Sequence, residues 1–182
     1  MKIDVYLEKA MLNLLETKPI DRIYVVEIIR EVGTCKGTFY KYFRDKYDLI
    51  CRCFDHYIYG DILQTSETWE EMILSLLGVF RQHAQVILHS FMSEDANSVR
   101  HYHEQILSGF LTHERAERGL KTEGKVYEYA LRMYAAHVTG LTVSWLEEGC
   151  TTKAEELVEL MRATMPVALC EDREDVAARQ SR

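Results

Sequence analysis

Apolar positions recur at steps of three and four along most of the chain, a spacing that predicts amphipathic helices rather than strands. Val5, Ala10, Leu12, Leu14 and Leu15 give one apolar surface to a helix over residues 4–16, and Thr17, Lys18 and Pro19 end it. Val25, Ile28 and Ile29 mark a short helix over 25–31. Gly33 follows, where glycine supplies the left-handed backbone that a sharp turn between helices needs. A third helix is predicted over 35–40, and a fourth starts near Lys46 and runs toward Ile62.

Beyond the polar break at 64–67, Trp69, Met72, Ile73, Leu76, Leu77 and Phe80 form one wide apolar stripe. A short segment over 84–92 comes next, and Val99, Tyr102, Ile106, Leu107, Phe110 and Leu111 mark another helix. Residues 112–124 are polar, contain Gly119 and Gly124, and read as a loop. A long helix over 125–148 stops at Gly149, and Thr152 with Glu155 fits a capping box for a last helix ending near Pro166. Residues 171–182 are charged and aperiodic and read as a disordered tail. The expected fold is all-α with about nine helices. It divides into an N-terminal three-helix unit over 1–46 and a helical lobe over 47–170.

Composition supports a packed core, since 47% of the 182 residues are hydrophobic and 28% charged. The only two prolines are Pro19 and Pro166, so the helix-breaking residue is missing from the span between them. Five cysteines (Cys35, Cys51, Cys53, Cys150, Cys170) show no framework spacing and are expected to be free thiols in a reducing compartment. The first residues lack the uninterrupted apolar run of a signal peptide, and no run approaches the roughly 18 residues of a membrane span. A cytoplasmic protein without a membrane partner is therefore expected. The net charge of −7 is uneven: residues 1–60 carry +1 and the remainder −8. Between Thr34 and Arg52 five basic side chains face two acidic ones, a local patch able to bind phosphate on an otherwise acidic body.

No glycine-rich phosphate loop, nucleophile elbow or zincin helix motif is present, so neither an enzyme nor a cofactor is expected. Cys51 with Cys53, and His101 with His103, stand two apart and cannot share a helix face, which argues against a metal site.

The informative stretch is 23–50: two short helices joined at Gly33, the second opening on Lys36, Gly37 and Thr38. Small and polar residues at the start of a recognition helix let its backbone approach the major groove. Lys36 and Thr38 are placed to reach base edges or phosphates. Tyr40, Lys41 and Tyr42 add donors for phosphate oxygens, and Lys46 opens the next helix, where backbone N–H groups also attract phosphate. Phe39 and Phe43 read as core pins of this unit. The stretch resembles the TetR family at Gly33, Lys36, Gly37, Thr38, Phe39, Tyr40, Tyr42, Phe43, Lys46 and Leu49. It departs from the family pattern at Val32, Thr34 and Cys35, where Ala, Val and a capping Ser are usual, and at Tyr24, which replaces a threonine. The resemblance implies a helix-turn-helix that binds operator DNA through Tyr24, Thr34, Lys36, Gly37 and Thr38, with Tyr40, Lys41, Tyr42 and Lys46.

It further implies a homodimer with two such units about 34–36 Å, or a multiple of that, apart, and an effector that alters this spacing. The expected seam uses the last two helices through Val138, Leu141, Trp145 and Leu157, with Leu160, Met161 and Thr164. Polar-tipped residues within apolar stripes suggest a pocket for a small-molecule effector, lined by Phe91, Tyr102, His103 and Ile106, with Phe110, Tyr134 and His137. Gly140, the run Trp145 to Gly149, and a last helix over 157–166 are similar to the subgroup typified by the dihydroxyacetone kinase activator. That likeness leaves open a co-regulator that acts through a protein partner with little DNA binding. A small-molecule-binding protein with a vestigial DNA unit is a third reading.

Overall fold

A computed structural model describes residues 2–170, and every regular element among them is helical. The predicted tail at 171–182 lies outside the described residues. Helices α1 (Ile3–Leu15), α2 (Val25–Val32) and α3 (Lys36–Tyr42) form the N-terminal unit, with a 3-10 turn at Ile20–Arg22 leading into α2. Leu7, Met11, Leu15, Ile20, Ile23, Ile28 and Phe39 are fully or almost fully buried there and join one hydrophobic core that continues through α4 into the lobe. Gly33 takes φ 72° at the end of α2, as the turn requires.

Helix α4 (Lys46–Phe54) passes through a single π turn, Asp55–Tyr59, into α5 (Gly60–Thr65). The Gly60 N–H closes the π turn on the Asp55 carbonyl, and a Cβ at Gly60 would lie 3.2 Å from that oxygen. The proposed domain boundary at 46/47 falls at the start of α4, which packs on α1 on one side and on the lobe on the other. Counting this joined helix as one, nine helical rods are seen among the described residues.

The lobe consists of α6 (Trp69–Gln82), α7 (Ala84–Phe91), α8 (Val99–Glu117), α9 (Lys125–Glu147) and α10 (Ala154–Ala163). Thr68 and Glu71 make a reciprocal cap at the start of α6, and Ser98 caps α8. Helix α8 continues to Glu117, past the point where the sequence suggests a loop. Its last turns are held because Arg115 is buried, donating to the Leu169, Cys170 and Lys121 carbonyls, while Glu114 accepts the Trp69 N–H. Polar composition there records partners drawn from distant segments. The capping box expected at Thr152 is not formed: Lys153 is the residue before α10, and the Thr152 carbonyl instead accepts the Trp145 indole N–H.

The lobe meets the N-terminal unit through α7 and the 92–98 loop. His89 Nδ1 donates to the Leu15 carbonyl at the end of α1 (2.7 Å). The Tyr47 hydroxyl donates to Asp21 (3.0 Å) and lies 3.4 Å from Ser93 Oγ.

Candidate nucleic-acid interface

Helix α3 is pinned by Phe39 and Phe43, both buried, as the sequence suggests. Their rings pack against each other at 5.8 Å, which turns the opposite side of α3 outward. On that outer side Lys36, Gly37, Tyr40, Lys41 and Tyr42 are exposed. Thr38 and Thr34 are half-buried, and Tyr24, just before α2, is 65% exposed. Lysine ammoniums and tyrosine hydroxyls are thus exposed from the first to the last turn of α3, a composition suited to phosphate oxygens. The Lys41 ammonium also lies over the Tyr42 ring at 5.9 Å.

Local capping departs from the family pattern in the way its residues dictate. Cys35 precedes α3 and its thiol caps no backbone N–H; its Sγ sits 3.4 Å from Thr38 Oγ1. The first contributors to a lowered Cys35 pKa are that Thr38 hydroxyl and the nearby backbone N–H groups. At α2, Tyr24 supplies no side-chain cap, but Glu27 reaches back to accept the Tyr24 N–H (2.9 Å) and pairs with Lys18.

Lys46 is a correction to the expected set. Its ammonium points inward and donates to the carbonyls of Ile20 (2.8 Å), Ile23 (3.1 Å) and Asp21 (3.4 Å). It therefore ties α4 to the end of the 3-10 turn. Burial there lowers its pKa, with Asp21 and other carboxylates opposing the shift. Three carbonyl partners leave this group engaged inside the subunit rather than held out for phosphate.

The seven residues expected to share an effector pocket are dispersed. Phe91 and His103 lie in a dense ring cluster with Phe54, Tyr59 and Phe80. His103 shares a 2.8 Å hydrogen bond with the Tyr59 hydroxyl, and burial pushes its pKa down to about 3, so the ring is neutral. Tyr102 donates instead to Asp55 at the surface. Tyr134 donates to the Met161 carbonyl (2.8 Å), and His137 bonds Thr164 Oγ1 (3.0 Å). Ile106 and Phe110 pack half-buried on the core. The gap beside Tyr134, lined by Trp69, Leu107, Leu131 and Val138, has no room for water. Each polar tip finds its own partner, which removes the reason for a common cavity.

The expected seam also divides. Val138, Trp145, Leu157 and Met161 are buried within the subunit and Leu141 is half-buried, leaving Leu160 and Thr164 exposed. Helix α9 has two apolar faces, and the one turned inward is Tyr134, Val138 and Trp145. Its outward face carries Tyr129, Met133, Ala136, Gly140 and Ser144, all but the half-buried glycine exposed. Val126, Leu160 and Val167 are further exposed apolar side chains, 54–74% accessible.

No helix among the described residues is long and apolar enough to cross a membrane. No group of three or more His, Cys, Asp or Glu among them is arranged to hold a metal. Tyr47 and His89, which couple the N-terminal unit to the lobe, and Asp55, which ties the π turn to α8, carry no sequence signal that singles them out, because their partners lie 26–74 residues away.

A family profile described as bacterial regulatory proteins, tetR family, matches residues 9–53, and one described as transcriptional regulator C-terminal region matches residues 67–166. No curated protein matches the chain. Among solved structures, the dihydroxyacetone kinase operon activator DhaS superposes with a TM-score of 0.58 at 18% identity, over 90% of this chain and 96% of that one. The transcriptional regulator FadR from Bacillus subtilis, solved in complex with stearoyl-CoA, gives 0.57 at 16% identity over 90% and 98%. The fatty acid degradation regulator FadR from Bacillus halodurans gives 0.55 at 14% identity over 95% and 97%. These likenesses establish a shared fold, and the C-terminal profile alone spans more than half of the sequence. The chain belongs to the TetR family of bacterial transcriptional regulators.

Proposed function

We propose that the chain binds operator DNA in sequence-specific fashion through the exposed side of α3 and the start of α2, and that two copies bind together. The observation that carries this reading is the outward surface of α3. Lys36, Tyr40, Lys41 and Tyr42 stand clear of a helix whose other side is locked by Phe39 and Phe43. Lys36 and Lys41 supply charge to phosphates; Thr38, near the helix start, is the side chain closest in kind to a base reader. Lys46 acts through the 3-10 turn, holding the approach to α2 in place.

The second copy fits against the outward face of α9. Tyr129, Met133, Ala136, Gly140 and Ser144 follow one another at steps of three and four, a continuous strip. A Cβ at Gly140 would meet no atom within 4 Å of its own subunit, so nothing inside the subunit calls for glycine at mid-helix. Gly78 and Gly109 have equally open surroundings, so it is the place of Gly140 in the exposed strip that favours close approach of a partner helix. Leu160 and Thr164, exposed on α10, extend the same seam. Repression relieved by a small-molecule effector is the mode of action we assign, acting by a change in the spacing of the two DNA units.

A mobility-shift titration against the DNA upstream of its own gene tests the reading. Specific complexes that weaken steeply as salt rises are expected. Failure to bind any upstream fragment at low salt would replace it with a co-regulator that works through a protein partner.

A further inference from the structure

An open cleft of about 320 Å³ lies between α4 and the start of α8, at the joint between the DNA-binding unit and the lobe. Its size falls at the lower end of the range for small-molecule sites, about 300–1,000 Å³. Apart from Ala96, every lining side chain carries a polar group, so an acyl chain or flat apolar ring would find no matching wall. Several of these groups are already engaged. Asp45 accepts from the Tyr47 and Asp48 N–H groups, and Asp48 pairs with Arg44. Arg52, the Asn97 amide and Gln105 have no side-chain partner among the described residues and are left to meet a ligand. Three aspartates against two arginines nearly balance in charge, so a strongly charged molecule of either sign would meet like charge. A metal ion is a poor fit too: the Cys51 thiol is pushed up to about 12 by burial and by Asp55 and Asp48, and the acidic groups do not converge.

The cleft borders a latch. The first and last residues of the π turn are tied to consecutive residues of α8, Asp55 by the Tyr102 hydroxyl and Tyr59 by His103. The Tyr59–His103 tie is fully enclosed, whereas Asp55 and Tyr102 both line the cleft. A molecule seated there competes for one tie and not the other. The π turn in question is the segment through which α4 continues into α5.

We propose that this cleft is an effector site for a small neutral polyhydroxy compound, one of whose hydroxyls replaces that of Tyr102 on Asp55. Hydroxyls donate and accept, which suits a wall that mixes a guanidinium, two amides and a carboxylate. Loss of the Tyr102 tie frees α4 to shift against α8 and thereby changes operator affinity. That last step rests on the DNA-binding reading above; the binding itself does not.

The test is a titration of the isotopically labelled full chain with ribitol, D-ribose and D-glucose, read from backbone amide resonances. Ethanolamine and lactate serve as charged controls. Saturable shifts confined to Asp55, His101, Gln105 and their neighbours are expected with a neutral probe. Gln105→Ala, at an exposed position, should weaken Kd about fivefold through one lost hydrogen bond. Tyr102→Phe should tighten it by about the same factor, since no hydroxyl has to leave Asp55. A tyrosine that merely touched the ligand would weaken binding when truncated, so that result overturns the replacement step. Absence of cleft shifts with all three neutral probes overturns the site, and a response to the charged controls alone overturns the ligand class. If the wild-type chain binds no operator, the DNA reading fails while the titration still decides the site.

Discussion

At Lys46 a single ammonium group separates two ways of supporting DNA binding. An outward lysine neutralises a phosphate and displaces a counterion, whereas this one holds three carbonyls at the start of α2. Lys46→Ala should therefore destabilise the fold by about 1–2 kcal/mol, while leaving the salt dependence of the remaining DNA affinity unchanged. Lys36→Ala should have little effect on stability and reduce the slope of log K against log salt by about 0.9. DNA titrations at several salt concentrations, set beside urea melts, distinguish the two. His103 gives a second readout at this scale. Its pKa is about 3 when folded and about 6.5 when free, so the unfolded chain binds the extra proton across that window. Stability present above about pH 6.5 should be lost at about 1.4 kcal/mol per unit as pH falls toward 3. In His103→Gln, which keeps an acceptor for Tyr59, urea midpoints measured across this range should fall less steeply. Partners of both residues lie far away in sequence, 23–26 positions for Lys46 and 44 for His103, which is why spacing alone misplaced them.

Elements were more legible than side-chain destinations. Every helix announced by a three-and-four spacing is present, and Phe39 and Phe43 pin α3 as their positions suggest, because a helix needs only a local pattern to declare itself. Where the pattern was ambiguous, tertiary partners decided. Helix α9 carries apolar side chains on two faces, and nothing local says whether Val138 or Met133 goes inside. The polar end of α8 looked like a loop because the groups that hold it, the Leu169 and Cys170 carbonyls, arrive from more than fifty positions away. The π turn was equally silent, although it leaves a testable mark on its glycine. Gly78, mid-way along α6, has open space around a future Cβ, so Gly78→Ala should stabilise by up to about 1 kcal/mol. Gly60→Ala should gain none of this, since its Cβ would press on the Asp55 carbonyl. Paired thermal melts of the two variants check the difference, and an equal gain would mean the π turn relaxes at no cost.

At the scale of the whole molecule, the acidic lobe and the lysine- and tyrosine-bearing surface of α3 sit on one chain but face separate tasks. Helices α4 and α7 pack on α1, and polar ties cross the same joint: His89 to the end of α1, Tyr47 to Asp21 and His56 to Glu8. Gly140 bears on the same scale from another direction. A glycine at mid-helix weakens α9 by about 1 kcal/mol relative to alanine in an isolated subunit, and on the pairing proposed above that deficit is offset when a second chain lies against it. Folding and pairing then become one equilibrium, and the melting temperature becomes a function of how much protein is in the tube. Diluting the chain across a hundredfold range should lower its Tm progressively. A melting temperature independent of concentration would detach the glycine from any partner. If the dependence is seen, a cell that makes too little of this regulator would hold it less folded as well as less paired, and its supply of working copies would fall faster than its synthesis.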